Sequence, residues 1–253
     1  MQIKFLTLNI EHGGKLMDNI LSFLRRENPD ILFIQEVFNG TDTGLEKRFR
    51  TVEVFKEELG DNLPYSDFKA HSFDPDINAE MGNAIFSKFE ILESDRYFFD
   101  VEYARVYFQG EHDPLTVPRI MQYVKVKIKE NELNLFNIHG IWGHDGNDNP
   151  RRDEMANTII EKIGNKKNVI LAGDTNLDPD TEFVKKIERE LDLKSVFGTS
   201  LQSTFNMLHK DDPGYAKAAV DMIFVSPEFE IIEKYMPMDD VSDHRPLVAV
   251  IEI

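Results

Sequence analysis

The residues able to do chemistry in this sequence stand directly after short apolar runs. Apolar runs of this length are typical of buried strands, so these polar groups would lie at the ends of core strands. Carboxylates buried there without partners are costly, so they must either pair with charges or share a cation. We favour a shared cation. The groups are Asn9 and Glu11, Gln35 and Glu36, His139, Asp174 and Asn176, Asp221, and Asp243 with His244.

The types of side chain available as ligands limit which cation can bind. The sequence contains no cysteine, which excludes disulfides, thiolate zinc sites and cysteine nucleophiles. Carboxylate, amide and imidazole groups remain, and such oxygen-rich sets suit Mg²⁺ or Mn²⁺ better than zinc. The sequence therefore predicts a Mg²⁺ or Mn²⁺ site.

The net charge bears on the partner. The 253 residues include 29 Lys and Arg against 46 Asp and Glu, which gives a net charge of −17. Tight non-specific binding to nucleic acid depends on Lys and Arg that neutralise phosphates, and the basic pairs of this chain are scattered. A cation would neutralise part of the acidic charge, so nucleic acid stays open as a partner, behind compact phosphate esters.

The order of predicted elements would bring the polar groups together. Strands alternate with helices in two halves of similar make-up, which predicts two sheets packed face to face with helices outside, in the α/β or α+β class. With 41% hydrophobic residues and no repeat or linker, we expect a single domain over residues 1–253. Predicted strands cover 3–8, 30–36, 84–86, 91–99, 101–108, 121–128, 133–138, 168–172, 220–225, 231–235 and 247–253, and predicted helices 16–24, 45–59, 150–163 and 181–191.

In this order, and over nearly the whole chain, the polar set resembles the endonuclease/exonuclease/phosphatase superfamily. The resemblance implies a four-layered α/β sandwich and Mg²⁺-dependent (or Mn²⁺-dependent) hydrolysis of a phosphate ester. It also implies a metal site. Glu36 matches the acid that holds the metal, Asn9 and Glu11 lie beside it, and Asp243 matches an acid near a metal position.

The resemblance implies catalytic roles as well. Asp174 and Asn176 match the pair that orients and activates the attacking water. His244 matches the imidazole that faces the phosphate, with Asp221 as its carboxylate partner. His139 matches the second histidine of the deoxyribonuclease I, sphingomyelinase and 5-phosphatase branches. The exonuclease III branch, which uses a tyrosine in the middle of the chain, is disfavoured.

Further positions are matched more loosely. Asn83 and Arg119 resemble phosphate-side positions of some members, and Glu80 is a candidate partner for His139. Ala219 stands two residues before Asp221, where many nucleases of the superfamily carry arginine. The remaining histidines match no position and are set aside: His12, His71, His112, His144 and His209.

The leading hypothesis is thus a phosphodiesterase or phosphatase, with a small, sugar or lipid phosphate favoured by the acidic charge. The alternative is a DNA or RNA endonuclease or exonuclease of the same superfamily. A non-catalytic interaction module ranks lower because every position of the set is filled, and an acidic calcium-binding protein ranks last because the sequence has no Asp-x-Asp-x-Asp-Gly loop. We expect a cytoplasmic protein without a membrane span and without an obligate protein partner.

Overall fold

The computed structural model describes residues 1–108, 110 and 112–253, and in this part of the chain it contains thirteen strands and five helices. The strands are β1 (Gln2–Asn9), β2 (Ile31–Asn39), β3 (Tyr65–Asp74), β4 (Ala79–Ser87), β5 (Ile91–Phe98), β6 (Ala104–Arg105), β7 (Ile120–Ile128), β8 (Asn131–His139), β9 (Val169–Asp174), β10 (Lys194–Ser195), β11 (Asp221–Val225), β12 (Glu230–Tyr235) and β13 (Leu247–Glu252). The helices are α1 (Glu11–Gly14), α2 (Met17–Glu27), α3 (Thr51–Leu59), α4 (Pro150–Ile163) and α5 (Glu182–Leu191).

The strands form two mixed sheets. Sheet one has the order β12-β13-β1-β2-β4-β3-β6, and sheet two has the order β10-β11-β9-β8-β7-β5. Strand β1 runs parallel to β2 and β8 runs parallel to β9, whereas the middle of the chain pairs antiparallel in β3–β4, β5–β7 and β7–β8. The antiparallel character predicted for the middle of the chain is confirmed.

Three apolar cores separate four layers. Inward side chains of both sheets, such as Phe5 and Leu135, pack against each other between the sheets. Helices α2 and α3 cover sheet one through residues such as Ile20 and Phe55, while α4 and α5 cover sheet two. The predicted four-layered α/β sandwich is therefore confirmed. Among the described residues, no helix has the length and apolar character needed to cross a membrane.

Two predicted elements are shorter than expected. The helix predicted over 45–59 begins only at Thr51, after a 3₁₀ turn at Lys47–Arg50. The hydroxyl of Thr51 donates to the carbonyls of Arg48 and Gly13, so it anchors the chain at the point where the helix starts. The strand predicted over 101–108 is reduced to β6, because the backbone N–H of Phe108 donates to the Asp74 side chain instead of to a neighbouring strand.

A layer of buried amides joins the two sheets near one end of the sandwich. The side-chain amide of Gln35 in sheet one donates to Asn137 Oδ1 in sheet two at 2.7 Å. Asn137 in turn donates to the carbonyls of Ile34 and Ala84, both at 3.0 Å. Both amide side chains are fully buried. Because hydrogen bonds have strict geometry, this layer sets the position of one sheet over the other.

Candidate active site

Three of the predicted site residues lie side by side on neighbouring strands of sheet two. His139 at the end of β8 pairs with Asp174 at the end of β9, and Asp174 pairs with Asp221 at the start of β11. Side chains alternate between the two faces of a strand, so Asp174 continues the inward row of Ile170 and Ala172. The inward rows of β8, β9 and β11 thus each end in a functional group at the same edge.

Glu36 reaches this edge through a β-bulge in sheet one. The register of β2 against β4 shifts between Ile34 and Val37, and Glu36 has a φ of 61°. Strict alternation would place Glu36 on the helix side with Ile34, so the bulge redirects its carboxylate. That carboxylate accepts hydrogen bonds from the backbone N–H of His12 at 2.8 Å and from Asn9 Nδ2 at 3.2 Å.

Positive φ values are concentrated around the cleft that these residues line. Four non-glycine residues of the cleft wall have them: Glu11, His12, Glu36 and Asn176. Gly173, next to Asp174, has a φ of 141°, and a Cβ atom there would lie 2.0 Å from the carbonyl oxygen of Ile138. Backbone strain of this kind persists only where the surrounding structure enforces it, and it is frequent at functional sites.

Asp174 lies at the centre of the cleft and is 2% exposed. Its Oδ2 accepts from Asn9 Nδ2 at 3.1 Å, and its Oδ1 accepts from the backbone N–H of Asn176 at 2.9 Å. The Nε2 atoms of His139 and His244 lie 3.7 and 3.8 Å from Oδ2. Burial raises the pKa of Asp174 to about 6, although the charge of His244 opposes the shift.

His244 and Asp221 form a buried pair. His244 Nδ1 and Asp221 Oδ2 are 2.8 Å apart. Burial disfavours the imidazolium, but the carboxylates of Asp221, Asp243 and Asp174 outweigh it and raise the pKa of His244 to about 10. His244 is therefore charged at neutral pH, and its Nε2–H faces the carboxylate of Asp174.

His139 has the opposite charge state. Burial, followed by the nearby guanidinium of Arg119, lowers the pKa of His139 well below its usual range. Arg119 Nη1 lies 3.4 Å from His139 Nδ1, and because a guanidinium only donates, Nδ1 must accept. The remaining proton sits on Nε2, which faces Asp174 and lies 4.0 Å from Glu36 Oε1. Of the two imidazoles that flank Asp174, His139 is thus neutral and His244 is charged.

The sequence matches the model of the Endonuclease/Exonuclease/phosphatase family over residues 6–244. The chain belongs to this family. Members of the family are hydrolases that act on phosphate esters, so this chain is a phosphate-ester hydrolase. No curated protein matches the sequence.

Solved structures share the fold of this family member. A Beutenbergia cavernae endonuclease/exonuclease/phosphatase is 15% identical, with a TM-score of 0.78, 100% of this chain and 72% of that chain being covered. A mannosyl-6-phosphatase of Bacteroides thetaiotaomicron is 22% identical, with a TM-score of 0.66 and coverage of 99% and 100%. D. rerio TDP2 in complex with a single strand DNA product is 17% identical, with a TM-score of 0.69 and coverage of 100% and 99%.

Two residues predicted to bind metal already have lysine partners. The carboxylate of Glu11 forms an ion pair with Lys15, four residues further along the chain. Asp243 Oδ2 lies 2.5 Å from Lys210 Nζ. Both carboxylates still line the cleft, together with Glu36 and Asn9. The structure therefore brings the four predicted metal residues together but divides them into a pair with lysine partners and a pair without.

The more loosely matched positions differ in whether they line the cleft. Arg119 lines the cleft, whereas Asn83 is fully buried outside the cleft wall, where its amide donates to the carbonyl of Asn137 at 3.1 Å. The candidate partner of His139 has a different contact, because the hydroxyl of Tyr103 donates to Glu80 at 3.1 Å.

Several residues of the cleft wall carry no signal in the sequence. The cleft has a volume of about 270 Å³, and its wall includes His12 and three residues from the segment before β11: Phe205, Lys210 and Tyr215. The ring of Phe205 lies 4.5 Å from that of His244 and 4.6 Å from that of Tyr215. This segment has no periodic pattern, so its approach to the cleft is a product of tertiary packing alone.

The donor set of this family member fits a hard cation at Glu36. Asp174, Asp221 and His244 offer ligand atoms within 4.8 Å of one another, but two of these residues already pair with each other, since His244 Nδ1 and Asp221 Oδ2 are 2.8 Å apart. The half-buried carboxylate of Glu36 and the buried carboxylate of Asp174 share hydrogen bonds from one amide, that of Asn9. Negative charge held by an uncharged amide suits a small divalent cation with oxygen ligands.

His71, which matches no position of the family pattern, is also buried at this edge. His71 lies at the bulge of β3 against β4, is fully buried, and has no hydrogen-bond partner on either ring nitrogen among the described residues. Its ring lies 6.5 Å from that of His139. Burial, followed by the charges of Arg119 and Arg96, lowers the pKa of His71 well below 6.5.

We expect His71→Phe to make the stability less dependent on pH. Below pH 6.5 the unfolded chain binds a proton at His71 that the folded chain does not bind, so stability falls as the pH falls. Between pH 7.5 and 5.5 the variant should lose about 1.4 kcal/mol less unfolding free energy than the wild type. Urea unfolding at the two pH values measures the difference, and equal losses would contradict the expectation.

Proposed function

We propose that this chain hydrolyses a phosphate ester by in-line attack of a water molecule that Asp174 orients and activates. The arrangement around Asp174 carries the proposal, because this carboxylate lies between the Nε2 atoms of His139 and His244 at 3.7 and 3.8 Å. A base and two donors that face one point can hold a water molecule and a phosphate in line.

Asp174 has the properties of a general base. A base works best when its pKa lies near the working pH, and burial raises the pKa of this carboxyl to about 6. The hydrogen bonds from Asn9 and Asn176 fix the carboxylate plane. Asp174 would therefore take the proton of the water at Oδ2, the oxygen that faces both imidazoles.

The two histidines and Asn176 would stabilise the charge that builds up on the phosphate oxygens. The charged His244 supplies a cationic N–H, and Asp221 keeps it charged and correctly oriented. The neutral His139 supplies a second N–H from Nε2, since Arg119 occupies its Nδ1. The amide of Asn176 is fixed by donation to the carbonyl of Gly140 at 3.0 Å.

Glu36 and Asn9 would hold a divalent cation, Mg²⁺ or Mn²⁺, with Glu11 and Asp243 at the rim of the same site. When bound, such an ion supplies a Lewis acid that polarises a phosphoryl oxygen. Glu36 is prepared for this role because the backbone N–H of His12 and the amide of Asn9 hold its carboxylate in place.

A compact substrate is favoured over a polymer. The net charge of −17 repels a long polyanion, and the cleft of about 270 Å³ suits a small ester such as a sugar or lipid phosphate. Proteins of similar fold differ in the size of the molecule they act on or bind, since one is named a mannosyl-6-phosphatase and another is bound to a DNA product. Nucleic acid is therefore the second candidate, whereas a non-catalytic module is disfavoured by the filled and converging site.

The test is a panel of esters with Mg²⁺ or Mn²⁺: sugar phosphates, inositol phosphates, sphingomyelin, bis-p-nitrophenyl phosphate, and single- and double-stranded DNA and RNA. We expect turnover of small esters with a shallow dependence on salt, whereas cleavage of oligonucleotides that weakens steeply with salt would favour the second candidate.

Removal of the metal should abolish turnover and lower the melting temperature. A ligand that binds only the folded state stabilises it by about 2.7 kcal/mol at a concentration 100 times its Kd. We therefore expect EDTA-treated protein to melt several degrees lower than protein saturated with Mn²⁺, and Glu36→Gln to remove most of that difference. Turnover that survives chelation would contradict the proposed metal requirement.

A further inference from the structure

Lys210 occupies a position at the cleft where a cation is expected. Of the described residues that line the cleft, it is the only lysine, and its side chain is 20% exposed. Its Nζ lies 2.5 Å from Oδ2 of Asp243, a residue that the sequence predicts beside a metal. The hydroxyl of Ser242 lies 3.2 Å from the other oxygen of Asp243, but it is closer, at 2.7 Å, to the carbonyl oxygen of Asn9. Lys210 is therefore the main partner of this carboxylate.

The ammonium is held in place on a second side by aromatic rings. Lys210 Nζ lies 5.0 Å from the ring centre of Phe205 and 4.7 Å from that of Tyr215. A cation over two aromatic faces gains electrostatic attraction, and its side chain loses freedom. Phe205 also packs against the ring of His244, so Lys210 is positioned within one cluster with a catalytic candidate.

The four predicted metal residues are therefore not equivalent. Glu36 and Asn9 bind each other and uncharged donors, whereas Asp243 is neutralised by a fixed ammonium. A dication placed against Asp243 would meet the repulsion of Lys210 at short range in a poorly solvated cleft. To bind there it would have to displace the lysine from both the carboxylate and the aromatic rings.

We propose that the ammonium of Lys210 takes the place of a second divalent cation at Asp243, so that the site binds one divalent cation, at Glu36 and Asn9. In the proposed function, the ammonium of Lys210 would also face the phosphate of the substrate, and this role rests on that function. The number of bound ions does not depend on the proposed function. A lysine donates hydrogen bonds but does not acidify water as a metal does. Activation of the water would therefore stay with Asp174.

The number of bound ions can be counted directly. Titration of the metal-free full chain with Mn²⁺, followed by calorimetry and by the EPR signal of free Mn²⁺, should give one ion per chain for the wild type. Lys210→Gln frees Asp243 and should give two ions, whereas Lys210→Arg keeps the charge and should give one. The double variant Lys210→Gln/Asp243→Asn should return to one ion.

A matched control separates this effect from general loss of positive charge. Lys186 forms an ion pair with Asp153 at 2.6 Å, is 25% exposed, and lies on a helix away from the cleft. Lys186→Gln should therefore bind one ion, like the wild type. Lys210→Met serves as a second variant if the glutamine variant does not fold.

Turnover gives a second readout. We expect Lys210→Gln to lose about 10- to 100-fold in kcat at low Mn²⁺, because one fixed charge facing the phosphate is removed. The activity should partly recover as the second ion binds. Two ions in the wild type, or one ion in both Lys210→Gln and Lys210→Met, would overturn the proposal. If no ester is hydrolysed at all, the proposed function fails, but the ion count still decides on Lys210.

Discussion

Asp174→Asn should lower kcat for phosphate-ester hydrolysis by about 1,000-fold or more and leave the fold intact. The substitution keeps the shape of the side chain, and its single amide oxygen can still accept from the backbone N–H of Asn176, whereas the hydrogen bond from Asn9 is lost. It removes the group that takes the proton of the attacking water. Steady-state kinetics on the best small ester of the panel, in saturating Mn²⁺, measures the loss.

The same variant should be more stable than the wild type without metal. A pKa of about 6 in place of 3.8 means that ionised Asp174 costs the folded state on the order of 3 kcal/mol at neutral pH. Because the folded-state pKa is raised, this cost appears as the pH rises through both values, and the neutral amide avoids it. We therefore expect a melting temperature several degrees higher in EDTA.

Asp153→Asn is the matched control for both readouts, because Asp153 lies on the surface in an ion pair with Lys186. It should change neither kcat nor the melting temperature by much. If Asp174→Asn kept more than a tenth of the wild-type turnover, Asp174 would not be the general base.

Asp221→Asn should lower kcat by about 100- to 1,000-fold and move the remaining activity to lower pH. Asp221 is the largest of the carboxylate influences that raise the pKa of His244 to about 10, so its loss should lower that pKa. The charged imidazole is present only below its pKa, so the alkaline limb of the kcat profile should move from near pH 10 towards neutrality. Profiles of kcat between pH 6 and 10.5 measure the shift.

Asp221 and His244 should also behave as one unit. If Asp221 acts through the imidazole, the double variant Asp221→Asn/His244→Gln should lose no more activity than His244→Gln alone. Asp240→Asn is a matched control, because Asp240 pairs at 2.6 Å with the exposed His209 outside the cleft wall. Independent, multiplying losses from Asp221 and His244 would refute the coupling.

The sequence predicts the fold and most of the converging residues because both follow from one pattern. An apolar row with a polar residue at its end predicts a buried strand and also the edge where the polar group emerges. The regular register of β8, β9 and β11 then places His139, Asp174 and Asp221 side by side, and no bulge or loop is needed to bring them together. The boundaries of α4 are reproduced because Asn149 caps the first turn, where Pro150 begins the helix.

The remaining features depend on contacts between segments that are distant in sequence. The bulge at Glu36 arises from the pairing of β2 with β4, and the contact of Arg119 with His139 arises just before the start of β7. Lys210 reaches Asp243 from an irregular segment, where neither spacing nor composition marks its destination. The catalytic and metal-binding roles of the site residues stay predictions until the variants are measured.

The buried amides between the sheets have a consequence for how this protein tolerates change. Sheet one carries Asn9 and Glu36, and sheet two carries His139 and Asp174, so the reacting geometry spans two separate bodies. A purely apolar interface would let the two sheets shift by fractions of an ångström at little cost in free energy, because the hydrophobic effect has no direction. The hydrogen bonds of Gln35 and Asn137 are directional, so they fix the position of one sheet relative to the other. The rim loops can therefore vary in length and chemistry, and with them the choice of substrate, while the reacting atoms stay aligned.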